Sequence, residues 1–233
     1  MFFFNPTYLL YMAPAFLLMM LTSWYVNSAY RRWSQVPARS RLTGAEAAQR
    51  LIARGGLSGV RVEGIRGNLS DHYDPRDKVL RLSPGVANYA SVASLAIAAH
   101  ELGHAMQDHE EYFPLRLRSA IVPAVNIGSN LGWILIMIGL LLRFTELAWL
   151  GVLVFSGGAV FALFTLPVEL DASARAKRLL AETGIIQGED EQRGVNTVLN
   201  AAALTYVAGL VTAILQLLYY VTLVGGMGGR RRS

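Results

Sequence analysis

The order of apolar and polar positions divides the chain into four long apolar stretches and two long polar segments. The apolar stretches cover 8–26, 119–142, 147–166 and 201–224. Each is long enough for a helix that crosses a hydrocarbon core of about 30 Å, which takes about 20 residues. Only 143–146 separates the second from the third. So short a gap predicts a helical hairpin whose outer ends emerge on the same face. The first stretch has no basic residue ahead of it, exceeds the apolar core of a signal peptide and is followed by Arg31 and Arg32. It reads as a retained anchor.

The first polar segment carries its own small pattern. Thr43 with Glu46 three residues on is a capping box, 45–53 is rich in helix formers, and Gly55-Gly56 ends the run, which predicts a helix of about ten residues. Val60 and Val62 alternate with Arg61 and Glu63, and 78–82 alternates again. Two short strands joined as a hairpin around a turn at 71–75 are the expectation. From Ser91 to about Glu111 a further helix is expected, with an unusually apolar start.

Composition turns these spans into a class. Of 233 residues, 16% are charged and 53% hydrophobic, with a mean hydropathy of +0.37; soluble domains are about 25% charged. The chain reads as a membrane protein, which excludes a disordered, collagen-like or disulfide-stapled one. The net charge of +5 raises nucleic acid as a partner. No basic stripe interleaved with aromatic residues exists, however, and the charge flanks the apolar spans. The lipid bilayer is therefore the expected partner, and nucleic acid is not. The absence of cysteine rules out thiol nucleophiles and Cys-ligated zinc.

Lys and Arg number 13 in 31–118 and four in 167–200, against one in 143–146, three in 225–233 and none before the first span. The positive-inside rule puts both polar segments in the cytoplasm and both termini outside. Arg230, Arg231 and Arg232 pull the other way. The expected organisation is an N-terminal membrane anchor (1–30), a cytoplasmic segment (31–118), a transmembrane hairpin (119–166), a second cytoplasmic segment (167–200) and a transmembrane or re-entrant end (201–233).

The chemistry is concentrated in His100-Glu101-Leu102-Gly103-His104. On a helix the two histidines lie about 40° apart and one turn along, aiming two imidazoles at one metal ion. Glu101 lies further round, near the ion but not on it, where a general base for an attacking water belongs. This composition yields such a match by chance roughly 0.003 times. Zinc is the expected ion, and a catalytic zinc takes three protein ligands. His109, about 140° round the helix from His104, cannot close on the same ion. Gln107 and Glu110 stand where the longer motif with a third histidine has its glycine and histidine. Glu169 is the expected third ligand. It follows the third span as the histidine helix precedes the second, so the hairpin brings both to one membrane face.

Three weaker signals accompany the motif. Asp171, about 200° from Glu169 on the same helix, is open between orienting a ligand histidine and an i,i+4 pair with Arg175. His72 is a candidate donor for the developing oxyanion, against a surface histidine beside carboxylates. The strand at 78–82 is a candidate edge for an extended peptide.

With this helix, Asp71-His72-Tyr73-Asp74-Pro75-Arg76 ahead of it, and Leu166-Pro167-Val168-Glu169-Leu170-Asp171-Ala172-Ser173 behind it, the sequence resembles the YugP-type membrane zinc metallopeptidases from the first anchor to the last span. The resemblance implies a neutral zinc peptidase of bacterial inner membranes and supports Glu169 as third ligand. A wider similarity is to the HtpX and CaaX-prenyl protease group, whose third-ligand helix reads Glu-x-x-Ala-Asp. Glu169 and Ala172 fit that pattern; Ser173 replaces its aspartate.

The expected architecture is a mainly α membrane protein with about four transmembrane helices and a small α+β, zincin-like metallopeptidase domain. The expected activity is a zinc endopeptidase of the His-Glu-x-x-His…Glu (gluzincin) type, with His100, His104 and Glu169 on Zn2+ and Glu101 as base. Its substrates are expected to be polypeptides in or beside the membrane. The rival from another class is a membrane scaffold or adaptor with a structural zinc site, which a fourth protein ligand would favour.

Overall fold

A computed structural model describes residues 6–229. Arg230, Arg231 and Arg232, which enter the charge count above, lie outside the described residues. The elements are α1 (Pro6–Ser34), α2 (Gly44–Arg54), β1 (Arg61–Gly64), β2 (His72–Asp74), β3 (Val79–Leu82), α3 (Pro84–Ala87), α4 (Val92–His109), α5 (Phe113–Leu141), α6 (Thr145–Glu182) and α7 (Gly188–Gly229). Helices α1, α5, α6 and α7 are each long and apolar enough to cross a membrane. All four run past the apolar stretches into polar sequence, α1 through Arg31 and Arg32, and α6 through Pro167 to Glu182.

The chain forms two compact units. One comprises the chain through Thr22, Leu117–Leu166 and the chain from Thr205 on. Its interior is small, with Ile136, Ala148, Val152, Tyr219 and Val224 buried together. At Gly139 a β-carbon would collide with the backbone of Ala148, so α5 and α6 touch there main chain to main chain. Most large apolar side chains point outward instead: Leu10, Leu141 and Leu153 are 70%, 83% and 69% exposed. Against water each would forgo about 1.5–3 kcal/mol of burial. Against lipid tails they forgo nothing.

The other unit comprises Ser23–Arg116 and Pro167–Leu204. Its core joins Leu51 of α2, Leu80 and Leu82 of β3, Leu95 and Leu102 of α4, and Leu180 of α6. The expected capping box is present. Thr43 Oγ1 accepts from the Glu46 N–H, and the Glu46 carboxylate accepts from the Thr43 N–H.

The three-stranded sheet has the order β1-β3-β2. This corrects the expected hairpin. β1 pairs with β3 in parallel, while the antiparallel partner of β3 is β2, formed within the stretch expected to be a turn. The chain reverses later, over 75–78, where the Asp74 carboxylate accepts from the Arg76 N–H and Lys78 takes a left-handed conformation. Asp74-Pro75 therefore opens the turn and does not centre it, which leaves 72–74 free to pair. β3 is consequently the central strand. It has no free edge, so the expected peptide-binding edge at 78–82 is withdrawn; the outer strands are β1 and β2.

Candidate metal centre

Helix α4 starts at Ser91, whose hydroxyl accepts from the Ser94 N–H, and buries alanines at 93, 96, 98, 99 and 105. These small residues let neighbouring elements approach closely. The closest approach is at Gly103, where a β-carbon would run into the Ala172 carbonyl of α6. Only glycine fits between the two backbones. The buried positions of α6 beyond Pro167 are Val168, Glu169, Ala172, Ser173, Ala176, Leu179 and Leu180. That is one helical stripe, and it brings Glu169 onto the histidine face of α4.

His100 and His104 present their rings 4.9 Å apart. Glu169, only 2% exposed, places Oε2 3.3 Å from His100 Nε2 and 3.4 Å from His104 Nε2. The ligand atoms of these three residues all lie within 4.8 Å of one another. Ligands about 2.0–2.1 Å from a tetrahedral zinc stand about 3.3–3.4 Å apart, so the two separations to Glu169 fit the ion. Two imidazoles and a carboxylate are also a donor set that zinc accepts.

The far side of each ring is held. His100 Nδ1 lies 3.1 Å from Ser173 Oγ, and His104 Nδ1 lies 3.0 Å from Gln107 Oε1. Gln107 Oε1 only accepts, so His104 holds a proton on Nδ1; with the Ser173 hydroxyl accepting from His100 in the same way, the two neutral rings would turn their Nε2 lone pairs towards the Glu169 oxygen. A cation between them resolves that repulsion.

Glu101 is not one of the three. Its Oε2 accepts from the Tyr73 N–H of β2 at 3.1 Å. Burial pushes its carboxyl above the ordinary range, opposed by His100 and His104. At His104 burial disfavours the charged form, but the carboxylates of Glu169 and Glu101 outweigh it, and the imidazole is raised. Tyr73 also donates its hydroxyl to Asp108 at 2.8 Å. Burial and that carboxylate raise the phenol well above its usual value.

His72, the neighbour of Tyr73 on β2, is half-buried, and its Nδ1 lies 2.9 Å from the Ser70 carbonyl oxygen. It does not join the three-residue cluster. His109 is exposed. Asp171 forms the i,i+4 pair weighed for it, accepting from Arg175 Nε at 2.6 Å; it also accepts from Gln107 Nε2 at 2.8 Å and touches neither histidine itself. Sequence reasoning missed Gln107 and Ser173 as ring partners. The available signal was spacing, since Gln107 is three residues past His104 and Ser173 four past Glu169, on the same helix faces.

A family model described as "Putative neutral zinc metallopeptidase" matches residues 8–225. The chain is 45% identical over 196 residues to "Putative membrane protease YugP" of Bacillus subtilis (strain 168), covering 84% of this chain and 87% of that protein. No solved structure matches.

Proposed function

Because the chain belongs to the neutral zinc metallopeptidase family, we propose that it is a membrane-embedded zinc endopeptidase of gluzincin type, in which His100, His104 and Glu169 hold the metal and Glu101 is the general base. The observation that carries this reading is that one Glu169 oxygen stands at zinc-like spacing from the Nε2 atoms of both histidines, with a second carboxylate, Glu101, beside the three but outside the cluster. Zinc, when bound, supplies a Lewis acid that polarises the scissile carbonyl and lowers the pKa of water towards about 7.

The chain's own residues do the rest. Glu101 takes a proton from the attacking water and returns it to the leaving amine. Its raised affinity for a proton suits that shuttling, and the Tyr73 N–H holds the carboxylate in place. His72 gives its Nδ1 proton to the Ser70 carbonyl, so Nε2 can donate to the developing oxyanion only in the doubly protonated ring. The outer edge of β2 is the surface on which an extended peptide would lie. A cavity of about 550 Å³, lined in part by Tyr73 and by Ala105, one turn past Glu101, has room for a substrate side chain.

The substrate class we infer is polypeptides in or beside the bilayer, in a bacterial inner membrane with the site facing the cytoplasm. Supporting this are the 17 basic residues of the two polar segments and the position of Glu169, three residues after the third apolar stretch ends. The scaffold reading has less support, because among the described residues the cluster has three members and no fourth. The test is a comparison of membrane proteins from cells expressing the wild type or Glu101→Gln. Intact substrates should accumulate and their fragments disappear in the variant; identical profiles would overturn the endopeptidase reading.

A further inference from the structure

Gln107 is a fully buried amide on α4 that the chemistry above does not use. Its Nε2 lies 2.8 Å from the Val168 carbonyl oxygen and 2.8 Å from Asp171 Oδ2, both on α6. A carbonyl and a carboxylate only accept, so the amide nitrogen, and not its oxygen, must face them. That orientation leaves Oε1 for His104 Nδ1. An amide oxygen also only accepts, so His104 carries its proton on Nδ1. In the neutral ring Nε2 is then the bare nitrogen, and Nε2 is the atom beside Glu169.

We propose that Gln107 is a positioning residue for the metal centre: its amide, locked by Val168 and Asp171, fixes the tautomer and ring plane of His104 so that Nε2 is presented to the ion. The proposal rests on the metal-centre reading above. Asp171 is itself anchored by Arg175, whose other nitrogen donates to Glu110 at 2.6 Å. The line of bonds thus runs from the partly exposed Glu110 and Arg175 inward to a ligand. A neutral amide at this place orients the ring without adding a second negative charge next to Glu169.

A buried glutamine that bridges two helices also serves packing, so the test must separate the two roles. Zinc affinity of the full chain in detergent is measured by chelator competition, together with the absorption bands of the cobalt-substituted protein. Gln107→Met should weaken zinc about 10–100-fold and shift the cobalt bands, at the scale of lost partners to metal-bound histidines. Gln107→Glu combined with Asp171→Asn keeps an acceptor opposite Nδ1 without adding net charge, lets the new amide at 171 donate to it, and should recover most of that loss.

Wild-type affinity in Gln107→Met overturns the proposal. So does an equal loss in both variants, because then only the bridge to α6 matters. Should Gln107→Met not fold, Asp171→Ala, at a partly exposed position, carries the same test, with an expected loss of about tenfold and wild-type affinity as the overturning result. The underlying metal reading fails separately, if the wild type binds no zinc or if His104→Ala binds it as tightly as the wild type.

Discussion

The two units solve the burial of side chains in opposite ways. The unit built on 117–166 leaves leucines such as Leu141 and Leu153 facing outward and buries a short seam of small and aromatic residues. The unit that carries the histidines buries its leucines and, with them, a set of polar groups: Glu169, Gln107 and Ser173 are all nearly or fully inaccessible. Each of those three has partners across α4 and α6. Burying a polar group without a partner costs about 1–3 kcal/mol. Where three are buried together and their bonds all lead to two imidazoles, the arrangement supports the metal centre proposed above.

The comparison can be broken at either end. The largest effect is expected at Gly103, where the obstacle to any side chain is the Ala172 backbone. Gly103→Val should cost about 3 kcal/mol, the upper range for overpacking, and abolish zinc binding by parting α4 from α6. Thermal unfolding and zinc content check both. In the other unit the same magnitude should arise for the reverse reason. Leu153→Arg costs about 2.5–3.5 kcal/mol only if that position faces lipid, whereas an arginine facing water is tolerated. The fraction of protein recovered in membranes distinguishes these. Ser173→Ala is the mildest: it removes the hydrogen-bond partner of His100 Nδ1 and should weaken zinc about tenfold with little change in unfolding temperature, as read by chelator competition.

The legible parts of the molecule are those whose partners are close in sequence. The four long helices follow from unbroken apolar runs, α2 from Thr43 and Glu46 three residues apart, and the histidine pair from a spacing of four. Strand β2 was hidden because Asp71–Arg76 has the composition of a turn, and its three paired residues are held by β3 and by a carboxylate 28 residues away. The parallel pairing of β1 with β3 leaves no local mark either. Gln107 looked like a missing glycine of another motif because its meaning depends on Val168 and Asp171, more than 60 residues on.

The central claim is that three residues hold zinc and a fourth acts beside it without touching it. It is tested most directly by measuring zinc content, after mild chelation, and peptide cleavage on the same purified samples of wild type, Glu101→Gln and Glu169→Ala. Wild type and Glu101→Gln should each keep about one zinc per chain while only the wild type cleaves, and Glu169→Ala should have lost the metal. Zinc retained in Glu169→Ala, or cleavage surviving in Glu101→Gln, would contradict it.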